Sequence, residues 1–154
     1  MMDSSEFDFG RNLTKQLKSE LEKAGYSVVD IPVSRKDSKT HIENFKSIDA
    51  NVDAYLDIVG TFVGYFCEDN FTSRKYKPRI IVHANLVLSE NNELIYSELI
   101  SYGEKDTSDC IHFPIDEKYQ YEKFAKLLLD KNNFIEGMNA GISNIGNQIA
   151  MDLH

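Results

Sequence analysis

Two carboxylates, Asp53 and Asp57, are candidates for acid–base catalysis. They lie four residues apart in a segment where apolar and polar residues alternate as in a β-strand. Residues four apart on a strand share a face and are separated by about 13 Å. Two carboxylates that act on one glycosidic bond are about 5 to 9.5 Å apart, so these two do not form such a pair. Glu98, on a neighbouring predicted strand, is another partner for either of them. The favoured interpretation is solvated or ion-paired sheet residues, and a small hydrolase is the alternative.

Other catalytic and metal-binding patterns are missing from the sequence. Of the four histidines, only His112 stands close to a cysteine, Cys110, and a zinc site needs two further ligands at recognisable spacing. His83 alternates with the apolar residues of its strand and is expected on the opposite, partly exposed face. The sequence contains no G-x-S-x-G, no phosphate-binding loop and no G-x-G-x-x-G. We therefore predict no catalytic residue, no metal, no cofactor and a protein that is not an enzyme.

The two cysteines, Cys67 and Cys110, follow the first and third strands of a predicted three-strand meander. In an up-down-up meander these strand exits lie at the same edge of the sheet, which favours a disulfide between the two residues. Such a bridge closes a loop of about 43 residues and adds roughly 4 kcal/mol on the chain-entropy model. The alternative is a pair of unpaired thiols in a reducing cytosol.

The aromatic composition indicates a contact surface, because eight tyrosines and nine phenylalanines occur without a tryptophan. Five tyrosines fall on or beside the predicted meander, where an exposed aromatic strip would suit a partner and burial under a second layer is the alternative. The basic cluster Arg74, Lys75, Lys77 and Arg79 surrounds Tyr76 and is either solvated or placed to meet a phosphate or an acidic partner. The predicted binding residues are Tyr55, Tyr65, Tyr76, Tyr96, Tyr102, Arg74 and Lys75.

The elements that position these residues begin with an amphipathic helix, whose apolar residues recur at spacings of three and four. Gly25 follows at the place expected for a helix-ending glycine. Residues 26–33, YSVVDIPV, are predicted to form a strand, residues 34–41 a loop and residues 42–48 a short helix. The apolar positions of the first helix are Phe9, Leu13, Leu17, Leu21 and Ala24.

The middle of the chain predicts an antiparallel meander of three strands, from about residue 52, from 80 to 88 and from 94 to 102. Gly60 and Gly64 suit a bulge or a close backbone approach in the first strand. Two helices follow, and Gly137 and Gly141 allow the last one to lie close to the sheet. The predicted fold class is α+β, a four-stranded mixed sheet flanked by helices in the order α-β-α-β-β-β-α-α.

The length and net charge of the chain limit the classes of function that it can have. The 154 residues predict a single domain, residues 1–154. Seventeen basic and twenty-five acidic residues give a net charge of −8, which disfavours nucleic acid and anionic membrane surfaces as partners. No apolar run approaches the roughly 18 residues that span a bilayer. The start, MMDSSEFDFGR, has no export-signal pattern, so we expect either a cytoplasmic protein or a mature fragment whose signal has been removed.

The order of several short motifs along nearly the whole chain resembles that of small exported bacterial proteins, many of them lipoproteins. The motifs begin with a helix that ends in A-G-Y and continue through a strand of the form D-A-x-L-D-V, a G-Y, a Y-x-P, a second strand, an L-Y-S and an aromatic-Gly close. Here they are Ala24-Gly25-Tyr26, Asp53-Ala54-Tyr55-Leu56-Asp57-Ile58, Gly64-Tyr65, Tyr76-Lys77-Pro78, Val82-His83-Ala84-Asn85-Leu86-Val87, Leu94-Ile95-Tyr96-Ser97 and Tyr102-Gly103.

These proteins are similar in fold to the periplasmic α/β domains of the curli-secretion lipoprotein and of the Tol-system translocation protein. The resemblance implies a mixed sheet flanked by helices, a periplasmic or outer-membrane-tethered setting, and a scaffold role without catalysis. The leading hypothesis is therefore a non-enzymatic envelope domain that binds another envelope protein through the open face or an edge strand of the meander. The alternatives are a cytosolic regulatory domain that binds a small ligand and a small hydrolase that uses the strand carboxylates.

Overall fold

A computed structural model describes residues 7–35, 37, 39–69, 74–103 and 108–154. Within these residues the chain forms three α-helices and one four-stranded sheet. The predicted α+β class, with a four-stranded sheet that includes an antiparallel meander, is confirmed. The elements are α1 (Phe9–Lys23), β1 (Ala54–Asp69), β2 (Arg74–Leu88), β3 (Leu94–Tyr102), β4 (Ile111–Phe113), α2 (Phe124–Leu129) and α3 (Lys131–Asp152), with short 3-10 helices at Phe45–Ser47 and Glu117–Tyr119.

Helix α1 begins and ends where the sequence provides caps. The side chain of Asp8 accepts a hydrogen bond from the backbone N–H of Arg11 at 3.0 Å, which satisfies one free donor of the first turn. Gly25 follows the helix with φ of 97°, a left-handed conformation that glycine adopts without strain. The buried residues Leu13, Leu17 and Leu21 lie along one side, as the spacing predicted, and they join the main core.

The sheet order is β1-β2-β3-β4, so β1 and β4 are its two edges. Strands β1, β2 and β3 pair antiparallel, and β4 pairs parallel to β3. The register of β1 against β2 shifts between Gly60 and Phe62, which is the bulge that the glycine predicted. Helices α1 and α3 cover one face of the sheet, called here the helix face, and the opposite one is called the strap face.

The fourth strand is not the one predicted from the sequence, because residues 26–33 do not join the sheet. The free edge of β3 is occupied instead by β4, which is only three residues long. Val29 remains 63% exposed, so the β-branched residues of the predicted strand are not paired in a ladder. The prediction failed because β-branched residues fit any extended backbone, whether or not it finds an unpaired edge.

Residues 39–50, called here the strap, contact the strap face of the sheet. They contain the 3-10 helix Phe45–Ser47, close to the predicted short helix at 42–48. Phe45 stacks on Tyr55 of β1 at a centroid distance of 4.7 Å, and both side chains are buried. With Val87 of β2 they form a small apolar cluster that is distinct from the main core. The strap therefore provides a third layer that contains no α-helix.

Helix α3 lies close to the sheet because its inner side carries glycines, as the sequence predicted. A Cβ atom on Gly141 would lie 2.5 Å from Tyr102 and 2.8 Å from Ile80. Both of these residues are almost fully buried, at 2% and 0% exposure. In the described ranges, no helix is long and apolar enough to cross a membrane.

Candidate functional site

Asp57 is a buried carboxylate on the strap face of β1, with 3% of the residue exposed. One carboxylate oxygen forms an ion pair with the guanidinium of Arg35. The other accepts two hydrogen bonds at 2.9 Å, from Nδ1 of His41 and from the backbone N–H of Ile42. Both carboxylate oxygens therefore have partners from the segment that precedes β1.

Two opposing effects set the pKa of Asp57. Burial raises it, but the hydrogen bonds from Arg35, the Ile42 amide and His41, with the charge of Arg35, outweigh burial and hold the pKa below its usual range. A catalytic acid needs the opposite balance, a carboxyl pKa raised toward neutral pH. This carboxylate stays ionised and fixes the strap to the sheet.

The structure does not bring the other predicted carboxylates to Asp57. Asp53 is exposed, four residues earlier on the chain. Glu98 pairs with Ala84 in the ladder, whereas Asp57 pairs with Asn85, so Glu98 and Asp57 point to opposite faces of the sheet. The three carboxylates therefore share no substrate-sized space.

A pair of histidines lies beside Asp57 on the strap face. The rings of His41 and His83 meet edge to face, with centroids 4.8 Å apart. Nε2 of His83 is 2.8 Å from Oγ of Ser97, which donates its proton to Oδ1 of Asn85, also at 2.8 Å. Ser97 must then accept from His83, so His83 cannot act as the base that activates this serine.

The pKa of His83 lies below its ordinary value. Burial is the main cause, the neighbouring His41 adds to it, and Glu98 opposes both. His83 is therefore neutral at pH 7. Across the described ranges, no group of three or more histidine, cysteine, aspartate or glutamate side chains could hold a metal ion.

The predicted tyrosines do not form one exposed strip, because they are divided between the two faces. Tyr55 is covered by the strap, and Tyr102 lies under α3, where burial raises its pKa to about 12. Tyr65 stacks on Phe134 at 4.8 Å, and Tyr96 donates a hydrogen bond to Asp152 at 3.0 Å. The prediction of an exposed strip was wrong because both faces carry a covering layer.

Tyr76, the remaining predicted tyrosine, lies where β1 and β2 extend past β3. Strand β3 pairs with β2 only from Ile80 to Val87, so residues 64–69 and 74–79 form a two-stranded arm. The predicted Arg74 is exposed and Lys75 half-buried on this arm, and Lys77 forms an ion pair with Glu68. Arg79 lies 5.3 Å from the ring centres of Phe62 and Phe66. Lys77 and Arg79 thus both contact side chains of β1.

An exposed apolar surface, called here the α2 patch, lies against the arm. Phe124 is 52% exposed and its ring centre is 5.5 Å from that of Tyr76. Leu128, one helical turn further on, is 54% exposed, and Leu129 is 87% exposed. Only Leu127 of this helix is buried. In the sequence, Phe124 and Leu128 indicate a helix, but no pattern shows that most of the apolar side chains of this helix are exposed.

No disulfide joins Cys67 and Cys110, so the predicted bridge is not formed. Cys67 pairs with Tyr76 at one edge of the sheet, and Cys110 precedes β4 at the other edge, near the level of Val82. Six residues along β2 and three strand spacings separate them, about 20 Å by 14 Å. A disulfide needs Cα atoms within about 7 Å. The prediction placed the ends of the first and third strands at the same edge of the sheet. It failed because the arm carries Cys67 away from that edge and β4 places Cys110 on the far side of β3.

The thiol arrangement predicts two different reactivities toward an alkylating reagent. Cys67 is exposed and should be modified at once, whereas Cys110 is 9% exposed and should react only when the protein opens. Intact mass measured over time should show one adduct first, and the second adduct should appear rapidly only in denaturant. A single mass two units lower before reduction, with no early adduct, would contradict this arrangement.

Comparisons with known proteins give little for this chain. No protein family model matches the sequence, and no curated protein matches it. A solved structure described as a "putative lipoprotein" from Caulobacter crescentus aligns over 96% of this chain and 85% of its own. The two share 14% sequence identity with a TM-score of 0.42.

Proposed function

We propose that this chain is a non-enzymatic domain that binds another protein, and that the α2 patch is the contact surface. The observation that carries the proposal is the exposure of Phe124, Leu128 and Leu129 on one short helix, with Phe124 packed beside Tyr76. Exposed apolar patches that include aromatic side chains are typical of interaction sites rather than of solvated surface. Only one residue of this six-residue helix is buried, so its three exposed large apolar side chains do not contribute to the core.

The edge of β1 next to the patch supports the same surface. Between Val63 and Glu68 the strand pairs with β2 on one side, and within the described residues no other backbone hydrogen bond is made from its outer side. Val63 and Cys67 are exposed along this stretch. An extended segment of a partner can therefore add to β1 and place alternate side chains near Tyr76.

The chemistry at Asp57 supports the non-enzymatic part of the proposal. The carboxylate is held ionised by its own protein partners, and Ser97 is placed as an acceptor from His83. The alternative of a small hydrolase needs a carboxyl with a raised pKa in a pocket, and Asp57 has the opposite shift. The envelope setting rests on the motif resemblance of the sequence alone.

The small-ligand alternative has one structural feature in its favour, an open groove of about 340 Å³ between α1 and α3. Its lining is mostly amides and hydroxyls, and two of the amides already hydrogen-bond to each other, since Asn12 donates to Asn139 at 3.5 Å. The lining residues are Asn12, Lys15, Gln16, Ser19, Asn139 and Ile142.

The proposal is tested by a photo-crosslinking residue at position 128, with position 15 on α1 as a surface control. We expect a discrete adduct with one protein from position 128 in cells that make this chain naturally, and none from position 15. For that partner, the double variant Phe124→Ser and Leu128→Ser should weaken binding at least tenfold, since central apolar contacts contribute about 2 kcal/mol or more each.

A matched control exists at Ile95, which is 50% exposed on β3. Ile95→Ser should leave the affinity within twofold, and all variants should keep the melting temperature of the parent because the side chains are exposed. Equal adducts from positions 128 and 15, or equal losses from the Ile95 and α2 variants, would refute the assignment of the α2 patch.

A further inference from the structure

The strap is attached to the sheet by three small sets of contacts that are separate from the main core. One is the apolar cluster of Phe45, Tyr55 and Val87. The second is the polar cluster in which His41 and the Ile42 amide bind Asp57. The third is the side chain of Asn92, between β2 and β3, which accepts a hydrogen bond from the Phe45 amide at 3.2 Å and donates one to the Glu43 carbonyl at 3.4 Å. The main core lies on the helix face, between α1, α3 and the sheet. The strap can therefore detach without disrupting that core.

From this arrangement we propose that the strap is a proton-sensitive latch: protonation of His83, whose ring is in contact with His41 of the strap, detaches the strap and uncovers Tyr55 and Val87 on the strap face of the sheet. The proposal does not depend on the α2 patch. Its physical basis is the contact of two imidazole rings, one from the strap and one from β2, at 4.8 Å between centroids. The strap thus covers part of the His83 ring, and burial disfavours the charged form of an imidazole.

Among the described residues, one carboxylate acts on each of the two imidazoles. Asp57, from β1, is the carboxylate that faces His41, and it is shared with Arg35. Glu98, from β3, acts on His83 from the opposite face of the sheet and only partly offsets burial. His83 hydrogen-bonds to Ser97, which bonds in turn to Asn85, and both of these side chains are uncharged. Nε2 of His41 is buried and has no hydrogen-bond partner among the described residues.

The direction of the pH effect follows from the lowered pKa of His83. The attached state binds this proton less readily than the detached state, in which the imidazole is solvated with a pKa near 6.5. Acid therefore favours detachment. At a pH where the detached state carries the proton and the attached state does not, lowering the pH by one unit decreases the attached-to-detached ratio about tenfold for each proton taken up. Asp57 does not titrate in this range, because its pKa is held below 3.8.

Hydrogen exchange measured from pH 7.5 to pH 5, corrected for intrinsic rates, tests the latch on the whole chain. We expect the protection of the Ile42 amide, and with it that of Phe45, to fall by up to about tenfold per pH unit below pH 6.5. The amides of β2 between Ile80 and Ala84 should keep their protection over the same range. Trypsin should cleave after Lys39 and Lys46 faster at pH 5.5 than at pH 7.5, relative to a cleavage site in an unrelated peptide standard.

Two variants identify the histidines as the cause. His83→Gln keeps a donor for Ser97, and His41→Asn keeps a donor for Asp57, so both should remove or halve the pH slope while the strap stays attached at neutral pH. His154→Gln, at an exposed position, should keep the full slope. A flat profile in the parent chain, an unchanged slope in both variants, or a parallel loss of protection in β2 would overturn the proposal.

Discussion

Replacing Asp57 by Asn is expected to lower the free energy of unfolding at pH 7 by about 2–3 kcal/mol, because hydrogen bonds to a buried charged group are strong and their loss leaves partners unpaired. The amide has one acceptor oxygen, whereas the carboxylate serves Arg35, His41 and the Ile42 amide. Arg35 keeps 27% of its side chain exposed and can turn to water, which holds the loss below that of a fully buried pair. Urea unfolding followed by circular dichroism measures the difference.

The difference in unfolding free energy between the parent chain and Asp57→Asn is also expected to depend on pH. Because the pKa of Asp57 is lowered in the folded chain, its contribution is present above its unfolded value of about 3.9 and is lost as the pH falls through the folded value. The gap between parent and Asp57→Asn should therefore close below pH 4. Asp53→Asn, at an exposed site just before the same strand, should change stability by less than about 0.5 kcal/mol. Equal effects at the two aspartates would mean that Asp57 is not the attachment point.

Substituting Gly141 by Ala is expected to destabilise the protein by about 1–3 kcal/mol, even though alanine favours a helix by about 1 kcal/mol. The added methyl group would lie 2.5 Å from a ring carbon of Tyr102 and 2.8 Å from Ile80. Neither side chain has an exposed direction in which to move, so α3 itself must shift from the sheet. Gly141→Val should cost more than Gly141→Ala.

Gly10 in α1 provides the matched control, because its nearest neighbour is Oδ1 of Asp8 at 3.7 Å, an ordinary contact. Gly10→Ala should be neutral or raise stability by up to about 1 kcal/mol. We therefore expect the same glycine-to-alanine substitution in a helix to change the free energy of unfolding in opposite directions at the two positions. Thermal and urea unfolding of both would settle the point, and a stabilised Gly141→Ala would show that α3 does not rest on Tyr102.

The meander could be predicted from the sequence because its signals are local. Alternation of apolar and polar residues specifies each strand, and a turn between neighbouring strands specifies their pairing. The face of Ile80, Val82 and Ala84 was assigned from period two alone, and all three are in the main core. The same rule placed His83 on the other face, where it meets His41.

The candidate site could not be predicted in the same way, because its contacts join distant parts of the chain. Arg35 and Asp57 are 22 residues apart, and no spacing rule relates a loop arginine to a strand carboxylate. The strap covers Tyr55 through Phe45, which from the sequence was only part of a short helix. The exposure of Phe124 and Leu128 could not be predicted from the sequence either, since an apolar residue on a helix is normally assigned to the core.

The packing of α1 against α3 has a consequence for how the chain reaches its fold. Gln16 bonds to Asn147, 131 residues later, and α1 and α3 share one face of the sheet. During synthesis, Leu13, Leu17 and Leu21 leave the ribosome long before α3 exists to cover them. The meander can pair early, but the main core closes only after Ile145 and Ile149 have been made. For a chain that crosses a membrane unfolded, this late closure would keep it in a transportable state until its last helix is complete.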